Sequence, residues 1–158
     1  MLRELYSVER EFNVPLERLW RAWTDADDLE QWYSPVALSV VPGTVTSEPF
    51  MGGLWAVAVD VPMNNMVAYF FGRYLVFEPM SRIEHTLHYT RVRAEFDERD
   101  ENTANHLIVL EFEDRSDSSR AASWVKFTQV GDMPEDQVDV TRDGTTSYFD
   151  NLELFLMS

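Results

Sequence analysis

The stretch from Arg10 to Pro35, REFNVPLERLWRAWTDADDLEQWYSP, limits the folds open to this chain more than any other. It reads as the end of an edge strand, a proline-started helix, an acidic turn and a second short helix. Leu16, Leu19, Trp20 and Trp23 fall at helical spacing, so one face is apolar and must be buried. Pro15 suits the first helical turn, where its missing N–H costs nothing. Asp25 or Asp27 can cap the next turn, and Leu29, Trp32 and Tyr33 give that helix an apolar side. Two short helices carrying three tryptophans need a broad apolar surface to lie on, and the later chain, mostly strand-like, supplies it.

Residues 3–13 alternate as a first strand. Residues 36–48 are rich in valine but interrupted by Pro42-Gly43, as in a broken edge strand. After a Gly52-Gly53 turn, Trp55, Val57, Val59 and Val61 alternate with Ala56, Ala58 and Asp60, the pattern of a half-buried strand. Residues 66–78 form a long apolar run in which Gly72 marks a bend or bulge. Ile83, His85, Leu87 and Tyr89 follow on the next strand. Residues 95–105 are polar and read as an exposed hairpin loop, and 106–113 and 121–130 as the last two strands. Asp132, Pro134, Glu135 and Asp136 signal the start of a long final helix, with Phe149 or Tyr148, Leu152, and Phe155 or Leu156 as its apolar stripe. Consecutive strands with short turns pair antiparallel. The expected fold is α+β: a curved antiparallel sheet of about six to seven strands wrapped on one long C-terminal helix, with two short helices after the first strand.

A chain of 158 residues is expected to form one domain over residues 1–158. No window approaches the ~20 apolar residues of a spanning helix. The charged N-terminus does not read as a secretory signal, and the lack of cysteine excludes thiol chemistry and fits a cytoplasmic location. A net charge of −15 disfavours nucleic acid and anionic membrane as partners.

Several blocks resemble the START-like (SRPBCC) superfamily with its Bet v 1-like helix-grip fold, and more narrowly the branch named after the activator of the Hsp90 ATPase. Arg10, Pro15, Trp20, Thr24-Asp25, Trp32 and Pro35 stand at the spacing of that branch's opening. Gly52-Gly53 before Trp55, Phe71-Gly72-Arg73-Tyr74-Leu75 with Glu78-Pro79, Arg82-Ile83 to Thr86, and Phe127-Thr128-Gln129 with Gly131 are similar to its later strands. The resemblance implies a helix-grip fold with a lipid- or polyketide-sized cavity. It departs in the last helix, where the branch usually carries Gly-Trp and this chain has Gly144-Thr145. A tryptophan over the cavity is missing, which implies a larger or differently shaped pocket. The separate N-terminal domain of the long co-chaperone is not expected in these 158 residues, so the resemblance implies a cavity more than it implies chaperone binding.

The expected function is binding of a small apolar or amphipathic molecule between sheet and final helix. Trp32, Trp55, Val57, Tyr69, Phe71, Leu87, Val125, Phe127, Phe149 and Leu152 are the expected apolar contacts, with Arg73 and His85 orienting a polar end. Whether Phe71 and Arg73 or Tyr74 and Val76 point inward is open, because both faces of that strand are apolar. His85 and His88, three apart on a strand, point to opposite faces and cannot share a metal; no metal or cofactor is expected. Glu111 and Glu113 share a face and read as solvated. No Ser-His-Asp context, nucleophile elbow, phosphate loop or dinucleotide fingerprint is present. The alternatives are a cyclase- or hydrolase-like enzyme in the same cavity, with His85 or Arg73 as polar catalyst, and a protein-interaction module such as a chaperone partner. A homodimer through an edge strand is also open.

Overall fold

The computed structural model describes residues 2–102 and 105–158. Strand β1 (Arg3–Phe12) leads into helices α1 (Leu16–Thr24) and α2 (Ala26–Trp32). Pro15 stands one position before α1 with an extended ψ of 153°. Asp25 both ends α1 and opens α2, but its side chain makes no capping bond. The edge segment breaks into β2 (Ser39–Val40) and β3 (Thr46–Ser47). It is followed by β4 (Leu54–Val61), a 3-10 turn at Pro62–Asn64, β5 (Met66–Glu78) and β6 (Arg82–Thr90). Then come α3 (Arg93–Glu98), β7 (Asn105–Asp114), β8 (Ser123–Gly131) and the long helix α4 (Glu135–Met157).

The strands form one antiparallel sheet in the order β1-β8-β7-β6-β5-β4-β2, with β3 also on β4. Six strands are long; β2 and β3, two residues each, share the edge that Pro42-Gly43 interrupts. α4 lies against the inner face. Arg10 on β1 bonds Asp150 at 2.9 Å. Asn151 Nδ2 donates to the Trp32 carbonyl at 2.8 Å, which docks the helix on the end of α2. Trp32 in turn donates its indole N–H to the Ala22 carbonyl at 2.8 Å, locking α2 to α1. Among the described residues no helix is long and apolar enough to cross a membrane.

Register decides which residues face α4. Residues directly opposite across a ladder share a face. Trp55 lies opposite Gly72, Val57 opposite Phe70 and Val59 opposite Ala68, and this set faces inward. Ala56 opposite Phe71 and Ala58 opposite Tyr69 face outward. The inward set places a large side chain over a small one at each end, so both fit under the helix. A shift of register between Tyr74 and Val76 inserts Leu75, and Tyr74 and Phe77 therefore both turn inward, their rings 5.2 Å apart. The bulge expected near Gly72 thus falls three residues later.

The outer face carries a second, smaller core that corrects two expectations. Residues 95–105 were expected as an exposed loop. Residues 93–98 instead form α3, which lays Phe96 on Tyr69 and Phe71 at 4.9 and 6.2 Å between ring centres. Residues 103 and 104 of that stretch lie outside the described residues. Thr90 positions the helix start by accepting from the Val92 N–H at 3.0 Å and donating to the Glu95 carboxylate. Ala56 and Ala58 are fully buried beneath this cap, so β4 is buried on both faces rather than half-buried.

Candidate functional site

Between α4 and the sheet lies a cavity of about 500 Å³. β5 and β6 contribute Phe70, Leu87 and Tyr89; β7 and β8 contribute His106, Phe127 and Gln129. α4 contributes Gln137, Thr141, Gly144, Thr145, Tyr148 and Phe149, preceded by Met133, and the helix pair closes the deep end with Trp23 and Tyr33. Tyr89 and Gln137 are exposed and mark the mouth. Seven aromatic side chains line the space, and among the described residues no Asp, Glu, Lys or Arg does.

The polar groups of the wall are tied into a relay of fixed direction. The Gln129 amide N–H donates to His106 Nδ1 at 2.7 Å, so the imidazole carries its hydrogen on Nε2 and gives it to the Asp132 carbonyl at 3.2 Å. The Tyr6 hydroxyl donates to Gln129 Oε1 at 2.6 Å. Having used its hydrogen, Tyr6 accepts from Thr145 Oγ1 at 2.7 Å. The side-chain hydrogens of Thr145, Tyr6 and His106 are committed, as is one of the two Gln129 amide hydrogens. Burial pushes the Tyr6 phenol up to about 12, against the Thr145 hydrogen bond that lowers it. The His106 ring fills the space that a Cβ on Gly131 would need, 2.3 Å from Cδ2, so the glycine permits its position.

Two phenols stand apart from the relay. Tyr33 and Tyr148 pack edge to face at 5.0 Å, and Tyr33 also meets the Trp55 edge at 5.4 Å. Burial raises the pKa of both, and each is raised further by the phenols around it. Trp23 Nε1 is a buried donor without a hydrogen-bond partner among the described residues.

Of the expected contacts, Leu87, Phe127 and Phe149 line the cavity. Trp32, Trp55, Val57, Val125 and Leu152 are on the same side of the sheet but are packed into the surrounding core and reach no cavity surface. His85 is also inward but covered. Its ring stacks on Trp55 at 4.4 Å, and its Nδ1 donates to the Thr86 carbonyl at 2.8 Å. Tyr69, Phe71 and Arg73 are corrections: register turns all three to the outer face. There Phe71 stacks on His88 at 4.9 Å, and Arg73, half exposed, pairs with Glu101 and the Gly52 carbonyl. Glu111 and Glu113 pair with Arg82 and Arg115 on the outer surface. Trp23, Tyr33, Phe70 and Tyr148 were not expected. Tyr89 and Gln129 could have been found, because each lies two residues beyond Leu87 and Phe127 on the same strand face.

Buried His85 makes stability depend on pH. Burial pushes its pKa from 6.5 down to about 4, against a smaller upward effect of the Thr86 hydrogen bond. Below pH 6.5 the unfolded chain takes up a proton that the folded chain refuses until about pH 4. The contribution is therefore complete above pH 6.5 and is lost as pH falls through this window, amounting to about 3 kcal/mol. In urea titrations at pH 7 and pH 4, His85→Phe, which keeps a ring against Trp55, should lose about 3 kcal/mol less than the parent. Equal losses would contradict this assignment.

A curled antiparallel sheet gripping one long helix across an aromatic cavity defines a helix-grip protein of the START-like type. The match to the model for Activator of Hsp90 ATPase homolog 1-like proteins extends over residues 13–156, and the chain belongs to that family. Among solved structures it is similar to the AHSA1 protein of Silicibacter pomeroyi, at 17% identity and TM-score 0.76, covering 96% of each chain. It is also similar to a protein of Staphylococcus epidermidis, at 24% identity and TM-score 0.73, covering 95% of this chain and 87% of that one. A Chromobacterium violaceum protein aligns at 17% identity and TM-score 0.72 over 94% of both. At these identities the likeness concerns the fold. No curated protein matches the chain.

Proposed function

We propose that the protein binds a small apolar or amphipathic molecule in the cavity under α4. The observation that carries this reading is the cavity itself: about 500 Å³, walled by seven Phe, Tyr and Trp side chains and without a charged group among the described residues. That volume lies within the range of about 300–1,000 Å³ typical of small-molecule sites. Leu87, Phe127 and Phe149 supply apolar contact, and Phe70, Tyr33 and Tyr148 extend it. Binding rather than turnover is favoured by the relay. Both nitrogens of His106 are engaged, which leaves the wall's imidazole no free lone pair to act as a base.

Native mass spectrometry of the freshly purified protein, beside a denatured sample, tests this. A discrete added mass lost on denaturation is the expected result. A bare protein that also takes up none of a panel of aromatic ketones, hydrocarbons and fatty alcohols would overturn it.

A further inference from the structure

We propose that the ligand is a neutral molecule with a flat apolar body and a carbonyl-type acceptor, read by the free hydroxyls of Tyr33 and Tyr148. This rests on the cavity being a binding site and adds the chemistry that it selects.

The argument is one of unused donors. Thr145, Tyr6 and His106 each pass their one side-chain hydrogen to another protein group, and Gln129 passes one of its two amide hydrogens, so the relay offers the ligand at most the second amide hydrogen of Gln129. The Tyr33 and Tyr148 hydroxyls have no hydrogen-bond partner among the described residues, and both rings are in the cavity wall. Neither oxygen is sealed in. The sealed, unpartnered polar side-chain atoms among the described residues are Trp23 Nε1 and Arg99 Nε. Tyr33 as a residue is buried at 7% exposure, so the accessible space its hydroxyl meets is the cavity. With no protein partner, both hydroxyls are free to bond a molecule that enters the cavity.

The phenols choose the partner's chemistry. A phenolic O–H is a good donor and a weak acceptor, since its lone pair is delocalised into the ring. Burial above all, reinforced by neighbouring phenols, holds both in the neutral, donating form. Two donors on adjacent rings suit one oxygen with two lone pairs. A carboxylate would also accept, but it would enter a wall without a cationic side chain, in a protein of net charge −15. A purely apolar ligand would leave both hydroxyls desolvated and unpaired.

Three probes of one shape separate these cases: 2-acetonaphthone, 2-isopropenylnaphthalene and 2-naphthoate, titrated by isothermal calorimetry. The ketone should bind roughly tenfold or more tighter than the hydrocarbon, and the carboxylate most weakly, as expected for one or two hydrogen bonds to a neutral acceptor. Tyr33→Phe/Tyr148→Phe should abolish the preference, weakening the ketone through the lost hydrogen bonds and tightening the hydrocarbon, which no longer leaves hydroxyls unpaired, until the two bind alike. Neither hydroxyl is bonded within the protein, so the variant should fold with unchanged thermal stability. Equal binding of ketone and hydrocarbon, tighter binding of the carboxylate, or a ketone preference that survives in the variant would overturn the inference while the cavity reading stands. Failure of all three probes to bind would overturn the inference, and together with a bare native mass and no uptake from the wider panel it would overturn the cavity reading as well.

Discussion

Adding one methyl group at Gly72 should unfold the protein or cost it more than about 3 kcal/mol, beyond the usual range for overpacking. A Cβ there would lie 1.9 Å from the Thr86 carbonyl oxygen, 2.6 Å from its carbon and 2.8 Å from Oγ1. The first two are backbone atoms of β6, so no side-chain rotation can clear them. Relief requires β5 and β6 to part in the middle of the sheet, next to the bulge after Tyr74. Parting would strain the Arg73 N–H bond to Thr86 Oγ1 at 2.9 Å and lift Trp55, which lies opposite Gly72, away from His85. Against a typical total stability of about 5–15 kcal/mol, that loss leaves little. Urea unfolding followed by tryptophan fluorescence would measure it. A Gly72→Ala protein within about 1 kcal/mol of the parent would show that the strands can separate here far more cheaply than close packing allows.

The same residue shows where sequence reasoning succeeds and where it stops. Gly72 in an apolar run was legible as a special backbone position, yet its purpose was not. The run 66–78 is apolar on both faces, and parity alone cannot say which face is inner. Two distant facts decide it. Trp55 needs a glycine opposite it on the inner side, and α3 supplies an apolar cap that buries Phe71 and partly covers Tyr69 on the outer side. That cap rests on one phenylalanine, Phe96, in a stretch otherwise polar and charged, so no periodicity announces it. Without α3, Phe71 has only one place to be buried, which is why it was expected in the cavity and Arg73 with it.

The helices around Trp20, Trp23 and Trp32 and the single long helix at the end were readable because amphipathic spacing is a local property. The cavity wall was not, because a wall is what packing leaves uncovered. Trp55, Val57, Val125 and Leu152 have the right face and the wrong neighbours: other side chains fill the space in front of them. Phe127 and Leu87 face inward in the same way but look onto open volume. Alternation gives the face; only the helix's position gives the gap.

That position gives the other large effect. Gly144→Leu should abolish uptake of 2-isopropenylnaphthalene, by at least about 100-fold, while raising stability by about 0.5–1 kcal/mol. The two changes have separate physical origins. Gly144 is in the interior of α4, where glycine costs about 1 kcal/mol relative to alanine through backbone entropy. A Cβ added there meets nothing within 4 Å, so a side chain can be placed without strain. The open space it would enter is the cavity, since Gly144 is part of the wall beside Thr145 and Tyr148. A leucine there occupies volume that the ligand needs and covers apolar surface now exposed to the cavity. Gly144→Ala is the control. It shares the helix gain and adds a single methyl, so it should stabilise while retaining most uptake. Measuring both variants by urea unfolding and by calorimetric titration with the hydrocarbon separates the effects, because this probe makes no demand on Tyr33 or Tyr148. Stabilisation with undiminished uptake in Gly144→Leu would mean that the molecule binds elsewhere. Destabilisation would mean that α4 sits closer to the sheet at this point than an open cavity permits.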